Sequence, residues 1–207
     1  MSRSGSTIER LSGKLIVSCQ DYVESMVAAA VRGGAAGLRV NSPRYVRLAR
    51  AMTELPIIGC NKIFFPNTEI CITPSTRAAM ALVRAGADIV ALDCTTRRRP
   101  RQSAAQMIAA IHDAGALALA DLSSIEDGLR AVEEGADLLA TTLAPDFDPE
   151  LIHSLARLGR PVLAEGHITS PERAKEAIAA GAWAVCVGTA ITRPHWITEQ
   201  FNKAIGG

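Results

Sequence analysis

Eight short aliphatic runs recur along the chain: Leu15–Gln20, Gly37–Asn41, Pro56–Asn61, Ile89–Cys94, Leu117–Leu122, Leu138–Thr142, Pro161–Gly166 and Ala184–Ala190. Their starts lie roughly 19 to 33 residues apart. Each run is continuous rather than alternating, the pattern of strands buried on both faces of a parallel sheet. Between them stand Ala-, Glu- and Arg-rich stretches with helical spacing, such as Thr76–Arg84, Ser103–Ile111, Ile125–Glu133 and Pro171–Ile178. A strand followed by a helix, eight times in 207 residues, is the count for a (β/α)8 TIM barrel of near-minimal size. A doubly wound open sheet usually needs fewer units, and its glycine-rich first turn is absent. No linker or low-complexity stretch divides the chain, so one α/β barrel domain over residues 1–207 is expected.

The punctuation repeats with the strands. Gly34–Ala35, Gly86–Ala87, Gly115–Ala116, Gly135–Ala136 and Gly181–Ala182 each stand just before a run. Glycine there fits a helix C-terminus that closes in the left-handed conformation. Ser170–Pro171–Glu172 carries the opposite signal: a capping serine, a first-turn proline and an acid.

Composition narrows the function. The chain is 48% hydrophobic but only 4% aromatic, so Ala, Val, Ile and Leu must build the core. Twenty-two basic against 21 acidic side chains leave a net charge of +1. That balance argues against a nucleic-acid or anionic-membrane partner, and the run Arg97–Arg98–Arg99 is too short to overturn it. No apolar stretch approaches the roughly 20 residues of a spanning helix. The opening MSRSGSTIER lacks an apolar segment behind its charge, so no signal peptide is expected. Five cysteines without a C-x-x-C pair fit reduced thiols in a cytoplasmic protein rather than a zinc site.

Chemistry in such barrels sits at the C-terminal ends of the strands. Of four lysines, only Lys62 follows a strand end there, in a chain with 18 arginines. Lysine can give up its proton when burial or a neighbouring cation lowers its pKa, which arginine cannot; Arg39, at the end of the second run, is the candidate cation. A phosphate-steering or solvated lysine is the plain alternative. Asp93, Asp121 and Glu165 end the fourth, fifth and seventh runs, where carboxylates point into a partly closed mouth. Asp93 and Asp121 could equally orient arginines or satisfy loop amides. Glu165 is the better acid–base candidate, because Gly166 lets backbone approach a ligand. Gly166, Gly188 and Thr189, in the loops after the last two runs, offer backbone N–H groups for a phosphate, with Arg193 adding charge. His167 is the one histidine at that face. Neither the carboxylates nor His167 show metal-ligand spacing, so no metal is expected. Cys19 and Cys94 read as packing or substrate lining.

Taken in order, the stretches GKLIVSCQ (13–20), GLRVNS (37–42), Pro56–Lys62, ITP (72–74), ALDCTTRRRP (91–100), ADLSSIEDG (120–128), TTL (141–143), AEG (164–166) and VGTAITRP (187–194) resemble the N-acetylmannosamine-6-phosphate 2-epimerase family of sialic-acid catabolism. The resemblance covers nearly the whole chain. It implies a (β/α)8 enzyme that interconverts N-acetylmannosamine 6-phosphate and N-acetylglucosamine 6-phosphate without a redox cofactor. It implies Lys62 and Glu165 as the catalytic pair. The family's substrate-binding positions fall on Gln20, Arg39, Asp121 and Arg193, with the phosphate in the loops of Gly166, Gly188, Thr189 and Arg193; Asp93 and Thr142, also at the mouth, are added as substrate-binding candidates. A homodimer is implied as well. The chain departs from the family's pattern at Ile63, Phe64 and Phe65, where Arg-Asp-Tyr is usual. The segment Ala144–Pro145–Asp146–Phe147 is also short and without its usual tyrosine, and His167 replaces an Arg or Asn. These changes remove polar groups beside the sugar.

Such an enzyme would remove the C2 proton from one face of the ring-opened sugar and return one to the other. Two alternatives stand beside it: a Schiff-base aldolase using Lys62 as amine nucleophile, and a non-catalytic sugar-phosphate binding protein.

Overall fold

The computed structural model describes residues 3–100 and 102–206; Met1, Ser2, Arg101 and Gly207 lie outside the described residues. In chain order the elements are α1 (Arg3–Leu11), β1 (Leu15–Cys19), α2 (Val23–Arg32), β2 (Gly37–Asn41), α3 (Pro43–Met52), β3 (Ile57–Cys60), α4 (Thr76–Ala85), β4 (Ile89–Asp93) and α5 (Ala104–Asp113). They continue with β5 (Leu117–Asp121), α6 (Ile125–Glu133), β6 (Leu138–Ala140), α7 (Pro149–Ala156), β7 (Val162–Glu165), α8 (Pro171–Ala179), β8 (Ala184–Val187), α9 (Thr189–Thr192) and α10 (Pro194–Ala204). The eight strands pair in parallel in chain order and close into a barrel through β8 and β1. All eight expected runs are strands of a TIM barrel, trimmed by a residue or more at seven of them.

Burial on both faces explains the aliphatic runs. Ile58, Leu119, Leu163 and Ala184 fill the barrel, while Val17, Leu38, Ala118 and Ala164 pack outward against helices. Side chains alternate along a strand, so the positions two beyond an inward aliphatic also point inward. This phase carries Asp121 after Leu119 and Glu165 after Leu163.

The five glycines between a helix and the strand after it, Gly34, Gly86, Gly115, Gly135 and Gly181, all have positive φ. At Gly86, with φ of 103°, a side chain would also press on Arg50 at 3.1 Å. Ser75, Ser103, Ser124 and Ser170 cap the helices that follow them, each accepting from a backbone N–H three residues on.

Three features depart from expectation. A helix, α1, precedes the first strand, and its fully buried Leu11 belongs to the cluster that fills the barrel. Gly37 makes room for it: a β-carbon there would lie 2.7 Å from Leu11 Cδ2. The last run stops at Val187, and Thr189–Thr192 is a helical turn instead of strand. Helix α10 buries none of its residues, and Phe201 and Ile205 are 69% and 82% exposed.

Candidate active site

A cavity of about 390 Å³ opens at the C-terminal end of the barrel. Seven of the expected residues line it: Gln20, Lys62, Thr142, Glu165, Gly166, Gly188 and Thr189.

Lys62 reaches the cavity from the loop after β3. Its backbone N–H donates to Asn41 Oδ1 at 3.0 Å, and an antiparallel bridge pairs it with Ile72. Asn61 N–H donates to Thr73 Oγ1, whose own hydroxyl donates to Ala91 O at 2.6 Å. The lysine's main chain is thereby fastened to both β2 and β4, while its side chain stays exposed.

Glu165 ends β7 on the inward phase. Its main chain is fixed by Thr141, whose hydroxyl donates to Glu165 O at 2.8 Å and accepts from Glu165 N–H at 3.1 Å. Below the cavity floor lies Arg39, 3% exposed. Its Nη1 and Nη2 donate to the two Asp121 oxygens at 3.0 and 2.8 Å, and Nη1 is 2.8 Å from Glu165 Oε2. Thr142 Oγ1 donates to Asp121 Oδ1 at 2.6 Å.

One guanidinium thus serves two buried carboxylates, and the charges around them shift the ionisation of Glu165 and Arg39. Burial pushes the Glu165 carboxyl up to about 7; Arg39 pulls it down, Asp121 pushes it up, and Lys62 and the Thr142 hydroxyl pull it down. Burial works against the Arg39 charge, but Asp121 and Glu165 hold it and raise its pKa. Burial likewise raises the Cys60 and Cys186 thiols, which keeps them in the unreactive form.

Four of the expected site residues, Arg39, Asp121, Asp93 and Arg193, lie outside the cavity lining. Arg39 sits in the middle of β2, and its charge is engaged by the two carboxylates. Asp121 is fully buried behind Arg39 rather than in the cavity wall. Asp93 turns away into its own loop: its Oδ1 accepts from Thr95 N–H at 2.9 Å and from Thr95 Oγ1 at 2.7 Å, and Arg97 lies 3.8 Å from Oδ2. Arg193 is not in the cavity lining; its Nε pairs with Asp21 Oδ2 at 3.1 Å at the α9–α10 corner.

Four lining residues went unmarked as site residues in the sequence: Ile168, Thr169, Cys186 and Trp196. Cys186 has a usable signal, since it stands opposite Glu165 in the β7–β8 register. His167 lines the cavity as expected for its face, with a left-handed φ of 56° and its carbonyl accepting from Arg173. Gly166 beside it has φ of 92°. Among the described residues, no group of three or more His, Cys, Asp or Glu side chains is arranged to hold a metal ion.

A barrel whose cavity holds a lysine and a carboxylate raised toward neutrality can move protons to and from a bound carbon acid. Comparison with known proteins narrows this further. Residues 23–207 match the NanE family model, described as "Putative N-acetylmannosamine-6-phosphate epimerase". A protein of Edwardsiella ictaluri bearing the 2-epimerase form of that description is 40% identical over 94% of this chain and 90% of its own length. The bifunctional enzyme NanE/NanK of Brucella melitensis is 42% identical over 96% of this chain, which spans 42% of that longer protein. Among solved structures, the N-acetylmannosamine-6-phosphate 2-epimerase from Clostridium perfringens superposes with a TM-score of 0.91 at 35% identity, covering 95% of each chain. The deoxyribose phosphate aldolase from Aeropyrum pernix, at a TM-score of 0.66 and 18% identity, shares the fold alone.

Proposed function

The chain belongs to the N-acetylmannosamine-6-phosphate epimerase family, and from that membership we propose that it interconverts N-acetylmannosamine 6-phosphate and N-acetylglucosamine 6-phosphate by inverting C2. The observation that carries the reading is the pairing of Lys62 with Glu165 in one cavity. Strands β3 and β7 are four apart in a ring of eight, so the two groups approach a ligand from opposite sides.

Once the sugar ring opens, the C1 carbonyl acidifies the C2 hydrogen, because the anion left behind is shared with oxygen. Inversion then requires proton removal at one face and delivery at the other. A carboxyl with its pKa near 7 can both accept and return a proton at neutral pH, and an amine across the cavity supplies the second partner. Arg39 and Asp121 hold Glu165 in place from below. Gln20 and Thr142 offer hydrogen bonds to sugar oxygens, and the backbone N–H groups of Gly166, Gly188 and Thr189 offer donors to the phosphate. Arg193, through Asp21, braces the corner that shapes this wall. The sugar's oxidation state does not change, so the proposal calls on no redox cofactor.

Proton NMR of N-acetylmannosamine 6-phosphate with the protein in deuterium oxide tests this. The expected result is conversion to the gluco epimer with deuterium at C2. Absence of both conversion and exchange would overturn it.

A homodimer belongs to the same proposal. Helix α10 lies unburied, while an apolar groove of about 480 Å³, lined by Leu15, Ile178, Val185 and Ile191, stays open at the β8–β1 seam. Each fits the other in a second copy of the chain. Five free cysteines fit a cytoplasmic location.

A further inference from the structure

Trp196 is the feature of the cavity that the proposed chemistry leaves unused. It is the one indole, phenyl or phenol ring among the described lining residues, in the first turn of α10. Farther along, Phe201 in the helix and Ile205 just past its end point to solvent, whereas Trp196 is half-buried against the cavity. Its placement is built rather than incidental. Just before it, Thr192 is 1% exposed, and its hydroxyl lies 2.8 Å from Ser18 O and 3.1 Å from Gly188 O. Arg193 ties the same corner to Asp21. The helical turn that supplies the Gly188–Thr189 wall therefore also fixes where the indole stands.

We infer that Trp196 is a substrate-contacting residue that covers the phosphate-bearing end of the sugar, an inference that rests on the epimerase reading. A hexose phosphate carries hydroxyls around its edge and C–H groups on its faces and at the carbon bearing the phosphate. An indole matches both parts, with an apolar ring for the C–H groups and one N–H for a phosphate oxygen. Gly188 and Thr189 share the wall with Trp196; Glu165 stands on the neighbouring β7 and Lys62 enters after β3 from across the ring, and the indole itself carries no group that gains or loses a proton near neutral pH. Trp196 thus acts on binding and leaves the C2 proton steps to the other groups.

Fluorescence tests the inference directly, because the chain has only two tryptophans. Trp183 lies at the far end of β8, its N–H donating to Val162 O and its carbonyl accepting from Gly13. In a Trp183→Phe protein, titration with N-acetylmannosamine 6-phosphate should give a saturable change in Trp196 emission. Unphosphorylated N-acetylmannosamine should give a much weaker one. Trp196→Ala should raise KM about tenfold with kcat within about twofold, and Trp196→Phe should recover part of the loss. Turnover with unchanged emission at saturation, or a Trp196→Ala protein that loses kcat at unaltered KM, would overturn the inference. Should Trp196→Ala fail to fold, the emission titration still decides. A wild-type protein inert toward the phosphorylated sugar would instead refute the epimerase reading itself.

Discussion

Arg39 Nη1 lies 2.8 Å from Glu165 Oε2 while the same guanidinium grips both oxygens of Asp121. The cation and the second carboxylate push the Glu165 ionisation in opposite directions. Arg39→Met should therefore raise it above its value of about 7, and Asp121→Asn should lower it, each by about one pH unit or more. Carbon-13 NMR of the labelled Glu165 carboxyl reads both shifts without needing activity. Movement in the same direction would refute the arrangement.

The raised carboxyl also has a thermodynamic sign. Between its ordinary value of 4.5 and about 7, the folded state holds the Glu165 proton more tightly than the unfolded chain. Stability contributed by this group is therefore present at low pH and declines as pH rises through that window. Glu165→Gln cannot ionise, so its melting temperature relative to wild type should climb between pH 5 and pH 8. A difference that stays flat with pH would count against the shift.

Lys62 is exposed, so replacing it should leave the fold intact. Lys62→Ala should cut C2 deuterium exchange by about 100- to 10,000-fold, the range for a lost acid–base group. Lys62→Arg should fare little better, because it keeps the charge but not a removable proton. Exchange that survives in Lys62→Ala would remove the lysine from the mechanism.

The open groove and the bare α10 make a mass measurement informative. Light scattering should give a dimer for the wild type and a monomer for the Phe201→Asp, Ile205→Asp double variant, since both side chains are exposed in the single chain. A monomeric wild type would overturn the pairing.

Packing between α6 and α7 sets two magnitudes against each other. Gly128→Ala gains about 1 kcal/mol of helix propensity. Its new β-carbon would meet Leu155 Cδ2 at 2.3 Å, so the end of that fully buried side chain must shift within a packed core. Overpacking costs about 1–3 kcal/mol, so a net loss is expected, read as a lower midpoint in urea.

The strands were legible in the sequence because burial on both faces leaves an uninterrupted aliphatic run. Glu165 and Asp121 were legible as acids that end such runs. What separates Asp121 from Asp93 was not, since both end a strand in the same way. The difference lies in partners: Arg39 comes to Asp121 from 82 residues away, whereas Asp93 finds Thr95 two residues on. Helix α1 was hidden because its sequence is largely polar and, among its described side chains, only Leu11 and Ile8 bring apolar groups to the core cluster. The turn Thr189–Thr192 looked like strand because Val187, Ala190 and Ile191 continue an apolar run. Trp196 carried no local signal, since a corner between two helices brings it to the cavity.

The Arg39 cluster draws on β2, β5 and β7, and Lys62 hangs from β3. No contiguous half of the chain holds all of these groups. Fragments ending after β4 and starting at α5 would each be inert alone, and turnover would return only when the two pieces join. On the proposed reading, turnover by this molecule would report ring closure.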